Sequence, residues 1–226
     1  MTAVALAQEL LLLGYDDESG KATGSTIGLD LGMAAAVMVE LALAGRIVLA
    51  GGVFTVTDPT PTGEPIADDV LERMAADTPH SPASWVQRLR HGLRGRVLED
   101  LVSRGVLRRV DEIAMEYIEL HRYPAIDRTV EADVRSRLAA ALTGENAPDE
   151  RTAALATLVA AARMEPVLGL PPGEVDAAHR RLEEIAGGAG FSGLAELEES
   201  GVRPSVVLVV AALTAAIQAA LGTRRA

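Results

Sequence analysis

Residues 33–49 read MAAAVMVELALAGRIVL, and this stretch decides the fold. Met33, Val37, Glu40 and Leu41 follow the helical step. Ala34, Ala35, Ala36, Met38, Val39, Leu43 and Ala44 leave almost no polar face. A helix that is apolar all round is buried rather than laid on a surface. Gly45 is placed to end it in the left-handed conformation. Ile47-Val48-Leu49 then reads as a strand, Gly51-Gly52 as a turn and Val53-Phe54-Thr55-Val56 as the returning strand. A central helix feeding a hairpin is therefore expected, with most other segments packing around it.

Composition agrees with that reading. The chain has 226 residues, 49% of them apolar but only 3% aromatic, so Ala, Leu and Val fill the interior and favour closely packed helices. There is no cysteine, which excludes disulfides, thiolate catalysis and cysteine zinc sites. Met1 to Gly14 lacks the basic start and the small-residue cleavage site of a signal peptide. It reads as a first amphipathic helix with Leu6, Leu10 and Leu13 inward. Val206 to Leu221 is the longest apolar run, but Thr214 and Gln218 interrupt it. It falls short of the roughly 20 residues a spanning helix needs. No transmembrane span is expected; the run reads as a buried C-terminal helix.

Outward from the centre, Tyr15 to Ser25 is a polar loop. Its acids do not match the alternate spacing of a calcium-binding EF-hand loop, so it reads as a solvated surface loop. Asp58 to Pro65 is turn chemistry, and Ile66 to Ala76 is helical. Ser84 is placed as the N-cap of a helix through Trp85, Val86 and Leu89, with Trp85 on its apolar face. Gly92 and Gly95 interrupt the pattern. Leu93, Val97, Leu98, Leu101 and Val102 then define an apolar face that ends at Gly105. Val106-Leu107 then starts a strand, polar residues follow, and Ile113 to Ile118 reads as the second strand, closed by His121 to Pro124. The layout of helix, glycine, strand, turn and strand thus occurs twice. Thr129 is expected to cap a helix over Val130 to Leu142. Further helices are predicted over Arg151–Ala162 and Glu174–Ala186, with a short one near Leu194. The expected fold is mainly α: a single globular domain over residues 1–226, of about nine helices with two peripheral β-hairpins.

The net charge is −11 but unevenly spread. Arg88, Arg90, Arg94, Arg96, Arg104, Arg108 and Arg109 share one stretch with only Glu99 and Asp100 as acids. That stretch is +5, so the rest of the chain carries −16. Overall acidity opposes general nucleic-acid affinity, and no nucleic acid is expected as a partner. Arginine is frequent while Lys21 is the single lysine. With the alanine excess, this suggests a bacterial genome of high GC content.

Enzymatic chemistry finds no support in the sequence. There is no phosphate-cradling Walker loop, no dinucleotide glycine fingerprint, no HExxH and no serine in a nucleophile elbow. His80, His91, His121 and His179 are too widely spaced to suggest a metal site. Asp68-Asp69 and Glu183-Glu184 are neighbours, which point about 100° apart on a helix and make no catalytic dyad. No catalysis, metal or cofactor is expected. The arginine stretch remains. Arg90 and Arg94 at i,i+4, and His91 and Arg94 at i,i+3, suit convergence on one phosphate at a helix start. The alternative is that these arginines pair with the surplus surface acids.

The stretches QELLLLGYDDESGK, MVELALAGRIVL, LVSRGVL and APDERTAAL, with Pro61-Thr62-Gly63, resemble the Golgi phosphoprotein 3 family in its short bacterial form over nearly the whole chain. The resemblance implies a mostly helical domain with peripheral hairpins. It also implies a non-enzymatic peripheral membrane adaptor that binds phosphatidylinositol 4-phosphate. Carried over residue by residue, the family's pocket tryptophan falls at or near Ser25 and its first arginine on Ala34. Its arginine pair falls on His91 and Arg94. His91 adds charge only when protonated. Each lost charge-assisted contact is worth roughly 1.5–3 kcal/mol.

The reading that follows is a cytoplasmic binding module, peripheral on the inner face of the plasma membrane. It would dock on an anionic lipid headgroup through Arg94, with His91, Arg90 and Arg88 in support. A protein-interaction or regulatory scaffold without lipid affinity is the alternative, with other proteins as partners. A winged-helix-like nucleic-acid binder is the third class.

Overall fold

The computed structural model describes residues 4–114, 118–144, 148–171, 173–185 and 204–222. In chain order these form α1 (Leu6–Leu13), α2 (Thr26–Leu43), β1 (Ile47–Ala50), β2 (Val53–Val56), α3 (Pro65–Ala76), α4 (Pro82–Leu89) and α5 (Leu93–Ser103). Then come β3 (Val110–Ala114), β4 (Ile118–Arg122), α6 (Thr129–Thr143), α7 (Glu150–Ala161), a 3₁₀ turn (Glu165–Leu168), α8 (Val175–Glu184) and α9 (Pro204–Gly222). The fold is mainly α, with nine α-helices and two small antiparallel strand pairs among the described residues.

Helix α2 is the centre. It starts earlier than its apolar stretch suggests, because the Ser25 side chain accepts the Gly28 N–H and caps it. Helices α1, α3, α4, α5, α7 and α9 all pack against it. Met33 through Met38 are all at most 3% exposed, which leaves no face for solvent. By length and composition α2 would span a bilayer, yet here most of it lies inside the protein. Its first turn is crowded: a Cβ on Gly28 would stand 2.1 Å from the Ala162 carbonyl oxygen. Only glycine lets α2 meet the end of α7 there.

Gly45 takes φ +71° and ends the helix, as expected. β1 and β2 pair in the register Ile47–Val56 to Ala50–Val53. Gly51 and Gly52 both have positive φ, the requirement of a two-residue primed turn. Helix α5 repeats the plan, with Gly105 at φ +71°, but its strands fall later than expected. β3 begins at Val110 rather than Val106, and Leu107 makes only an isolated bridge to Ala125. Ile113 and Ile118 stand on opposite strands, β3 pairing with β4 from Val110–Arg122 to Ala114–Ile118.

Several local expectations need correction. All eight residues of α1 are buried, not only Leu6, Leu10 and Leu13, so α1 is a second internal helix. Ser81, not Ser84, caps α4: its hydroxyl accepts the Ser84 N–H, and Pro82 occupies the first helical position. Thr129 lies inside α6, where Asp127 accepts its N–H and hydroxyl. Gly95 does not interrupt α5. The loop at 15–25 lies at the surface as expected, and hydrogen bonds tie it to the segment after β4. Tyr123 donates its N–H to the Gly20 carbonyl, Ala125 to that of Asp17, and Tyr15 meets Tyr123 edge to face at 6.4 Å. The helix expected near Leu194 lies outside the described residues.

Candidate functional site

The arginine stretch folds as two helices joined by a turn. Arg90 ends α4 and Gly92, at φ +77°, starts α5. That left-handed glycine breaks the continuous helix on which Arg90 and Arg94 would stand four residues apart on one face. The structure instead puts Arg90 and His91 on the knuckle between α4 and α5, and Arg94 one turn beyond it. No side chain caps α5, so its first N–H groups have no side-chain acceptor.

The four expected residues have different surroundings. Arg94 grips the start of α2: its Nε lies 2.8 Å from Asp30 Oδ1, and its Nη2 lies 2.6 Å from Asp30 Oδ2 and 2.9 Å from the Thr26 carbonyl oxygen. This is a two-pronged guanidinium–carboxylate pair, about one quarter exposed on each side. Burial raises the pKa of the neighbouring Tyr15 phenol above its usual value, while Arg94 pulls the other way. Arg88 donates to Asp77 at 2.6 Å and lies 5.7 Å over the Trp85 ring. Trp85 itself is 2% exposed and belongs to the core. Arg90 is half-buried, forms no ion pair among the described residues, and keeps a buried Nε without a partner. His91 is exposed.

Along the stretch, Arg96 pairs with Asp69, Arg104 with Asp100 and Arg109 with Asp111. Five of its seven arginines thus have a carboxylate partner. The +5 of the linear sequence is mostly cancelled in space. Of the two further positions carried over from the resemblance, Ser25 is exposed at the start of α2. Ala34 has no exposure and cannot meet a ligand without opening the core.

A second constellation escaped the sequence reading. Glu9 is 3% exposed inside α1. Its Oε1 accepts from Arg137 Nη2 at 3.0 Å and Arg151 Nε at 3.2 Å. Arg151 also reaches Glu40 at 2.8 Å and the Val4 carbonyl oxygen at 2.7 Å, while Glu40 accepts the Leu6 N–H. One guanidinium therefore joins α1, α2 and α7, and Arg137 adds α6. Burial raises the pKa of Glu9 above its ordinary value, although Arg151 and Arg137 oppose the shift. Beside the cluster opens a cavity of about 640 Å³. Glu9, Glu40, Thr62, Gly63, Arg104 and Arg151 all line it. The stretches QELLLLG, ELALAGR, PTG, LVSRGVL and PDERTAAL thus each contribute to one wall. The signal that points to this place is a charged residue inside a run of leucines, which only a buried partner can accommodate.

The family model described as Golgi phosphoprotein 3 (GPP34) matches residues 6–220, and the chain belongs to that family. No curated protein matches it.

Proposed function

We propose that this member of the Golgi phosphoprotein 3 family is a non-enzymatic binding module that docks peripherally on an anionic lipid headgroup. The observation that carries the reading is the knuckle between α4 and α5. There an unpaired Arg90 and an exposed His91 stand beside a helix start that no side chain caps. Phosphate oxygens suit free N–H groups and guanidinium together. Arg94 holds the knuckle against α2 through Asp30, and a phosphate at Arg94 competes with that carboxylate. Arg88, stacked on Trp85, supports the outer side. Phosphatidylinositol 4-phosphate is the headgroup class that the family resemblance implies. The acidic body makes attachment reversible and sensitive to salt. Cytoplasmic residence, with docking on the inner face of the plasma membrane, completes the proposal.

A panel of vesicles tests it: neutral phosphatidylcholine alone, then with phosphatidylinositol 4-phosphate, phosphatidylglycerol or cardiolipin. Co-sedimentation is expected with anionic vesicles only, and Arg90→Ala is expected to weaken it roughly fivefold, the contribution of one basic group near a membrane. Equal binding to neutral vesicles contradicts the reading. A protein-interaction or regulatory scaffold without lipid affinity is the second reading. It draws support from the carboxylate partners of five of the seven arginines.

A further inference from the structure

We infer that the cavity lined by α7, α8 and α9 binds a small amphipathic carboxylate, an unbranched hydrocarbon chain with one negative head that Arg163 receives. The cavity shares no residue with the knuckle at 88–94, and the inference does not rest on the headgroup reading.

The backbone supplies the first argument. Arg163 follows the C-cap of α7, and its φ is +56°. Every other described residue with a positive φ is a glycine. Just past a helix end, glycine takes this conformation without steric cost, and a residue with a side chain does not. No contact offsets the strain. Arg163 is exposed, and its guanidinium makes no ion pair or hydrogen bond among the described residues. An unpartnered cation is thus held on a strained backbone at the edge of a cavity, and strain of this kind clusters at ligand sites.

The lining supplies the second. α8 and α9 both pack on α7, and the small side chains of Ala160, Ala161 and Ala178 help to leave a cavity of about 740 Å³ there. That size suits a small-molecule site. Ala161, Ala178 and Leu182 are buried, while Val175 is 46% exposed on the same wall. A hydrocarbon chain laid along them removes this apolar surface from water.

Charge selects the head. Of the other charged side chains described on the wall, His179 lies 3.2 Å from Glu183 and 3.9 Å from Glu165. Both glutamates face the imidazole, and Arg163 is left as the free cation. A guanidinium meets a carboxylate with two parallel hydrogen bonds. A dianionic phosphate would face one guanidinium and two glutamates, which selects against it. Val175 also opens α8, whose start has no side-chain cap and adds N–H groups that favour an anion.

Decanoate is the probe, titrated calorimetrically into the full chain below its micellar concentration. Acetate carries the head without the chain, and decyltrimethylammonium carries the chain with the opposite charge. Saturable binding of one decanoate is expected, with no heat from acetate and roughly tenfold weaker binding of the ammonium. Arg163→Gly removes the guanidinium at a φ that glycine prefers. Its unfolding temperature should not fall, while decanoate affinity drops about tenfold, the effect of one charge-assisted contact. Val175→Glu puts a like charge on the wall at a helix start that favours an acid, and a similar loss is expected. Circular dichroism checks that both variants fold. Absence of saturable decanoate binding, equal binding of the ammonium, or unchanged affinity in either folded variant overturns the inference.

Discussion

The Arg94–Asp30 pair and the Arg151–Glu9–Glu40 cluster use the same two functional groups in different surroundings. Arg94 and Asp30 are each about one quarter exposed, so water and salt compete for both. Glu9 is 3% exposed and keeps only Arg137 if Arg151 is lost, while Glu40 is 18% exposed and keeps only the Leu6 N–H. The first pair fastens a surface turn and remains exchangeable. The second joins helices that cannot separate without exposing a charge in the core. The Arg94–Asp30 pair can therefore exchange partners with solvent, whereas the cluster is part of the fold.

The largest expected effect is at the cluster. Arg151→Ala removes the partner that Glu9 and Glu40 share, and loss of one member of a buried pair costs about 3–5 kcal/mol. Urea unfolding should show the unfolding free energy falling by that amount, and a loss below about 1 kcal/mol would mean that the cluster is effectively solvated. Gly28→Ala comes next. Its Cβ would stand 2.1 Å from the Ala162 carbonyl oxygen, and crowding of this kind costs roughly 1–3 kcal/mol. It tests whether the start of α2 is held by close packing as well as by Arg94. Arg94→Ala is smaller. A half-open ion pair contributes about 1 kcal/mol, and the loss should shrink in high salt, where the Arg151→Ala loss should not.

The last effect is a slope. Burial, together with the neighbouring Asp17 carboxyl, raises the Glu131 pKa to about 7. The folded protein then keeps this proton up to about pH 7, while the unfolded chain releases it near 4.5. Between those values the native state binds more protons, so this group's contribution to stability falls as pH rises. Glu131→Gln should flatten that part of the stability–pH curve. An unchanged curve would place Glu131 in an ordinary solvated environment.

Much of the architecture was legible in the sequence because it rests on local rules. An apolar run with no polar face gave α2, and Gly45, Gly51, Gly52 and Gly105 marked the stops and the turn. The caps were less legible. Ser81 precedes Pro82, the stronger start signal, but Ser84 has the same chemistry three residues later. The site was legible only as residue types. Gly92 marked an interruption, but whether a glycine bends a helix or ends it depends on what the next helix packs against. Asp30 and Arg94 lie 64 positions apart, and no periodicity joins them. Glu9, Glu40, Arg137 and Arg151 are likewise brought together only by tertiary packing.

The central claim is that the knuckle carries charge free for an anionic surface while five of the other six arginines of the stretch are committed to carboxylates. Flotation with vesicles containing phosphatidylinositol 4-phosphate, followed across a salt series for the natural chain and for Arg90→Ala/His91→Ala, tests it most directly. The account predicts binding that falls steeply with salt and is nearly abolished in the double variant, whose thermal unfolding is unchanged. Undiminished flotation of the double variant, or none by the natural chain at low salt, contradicts it.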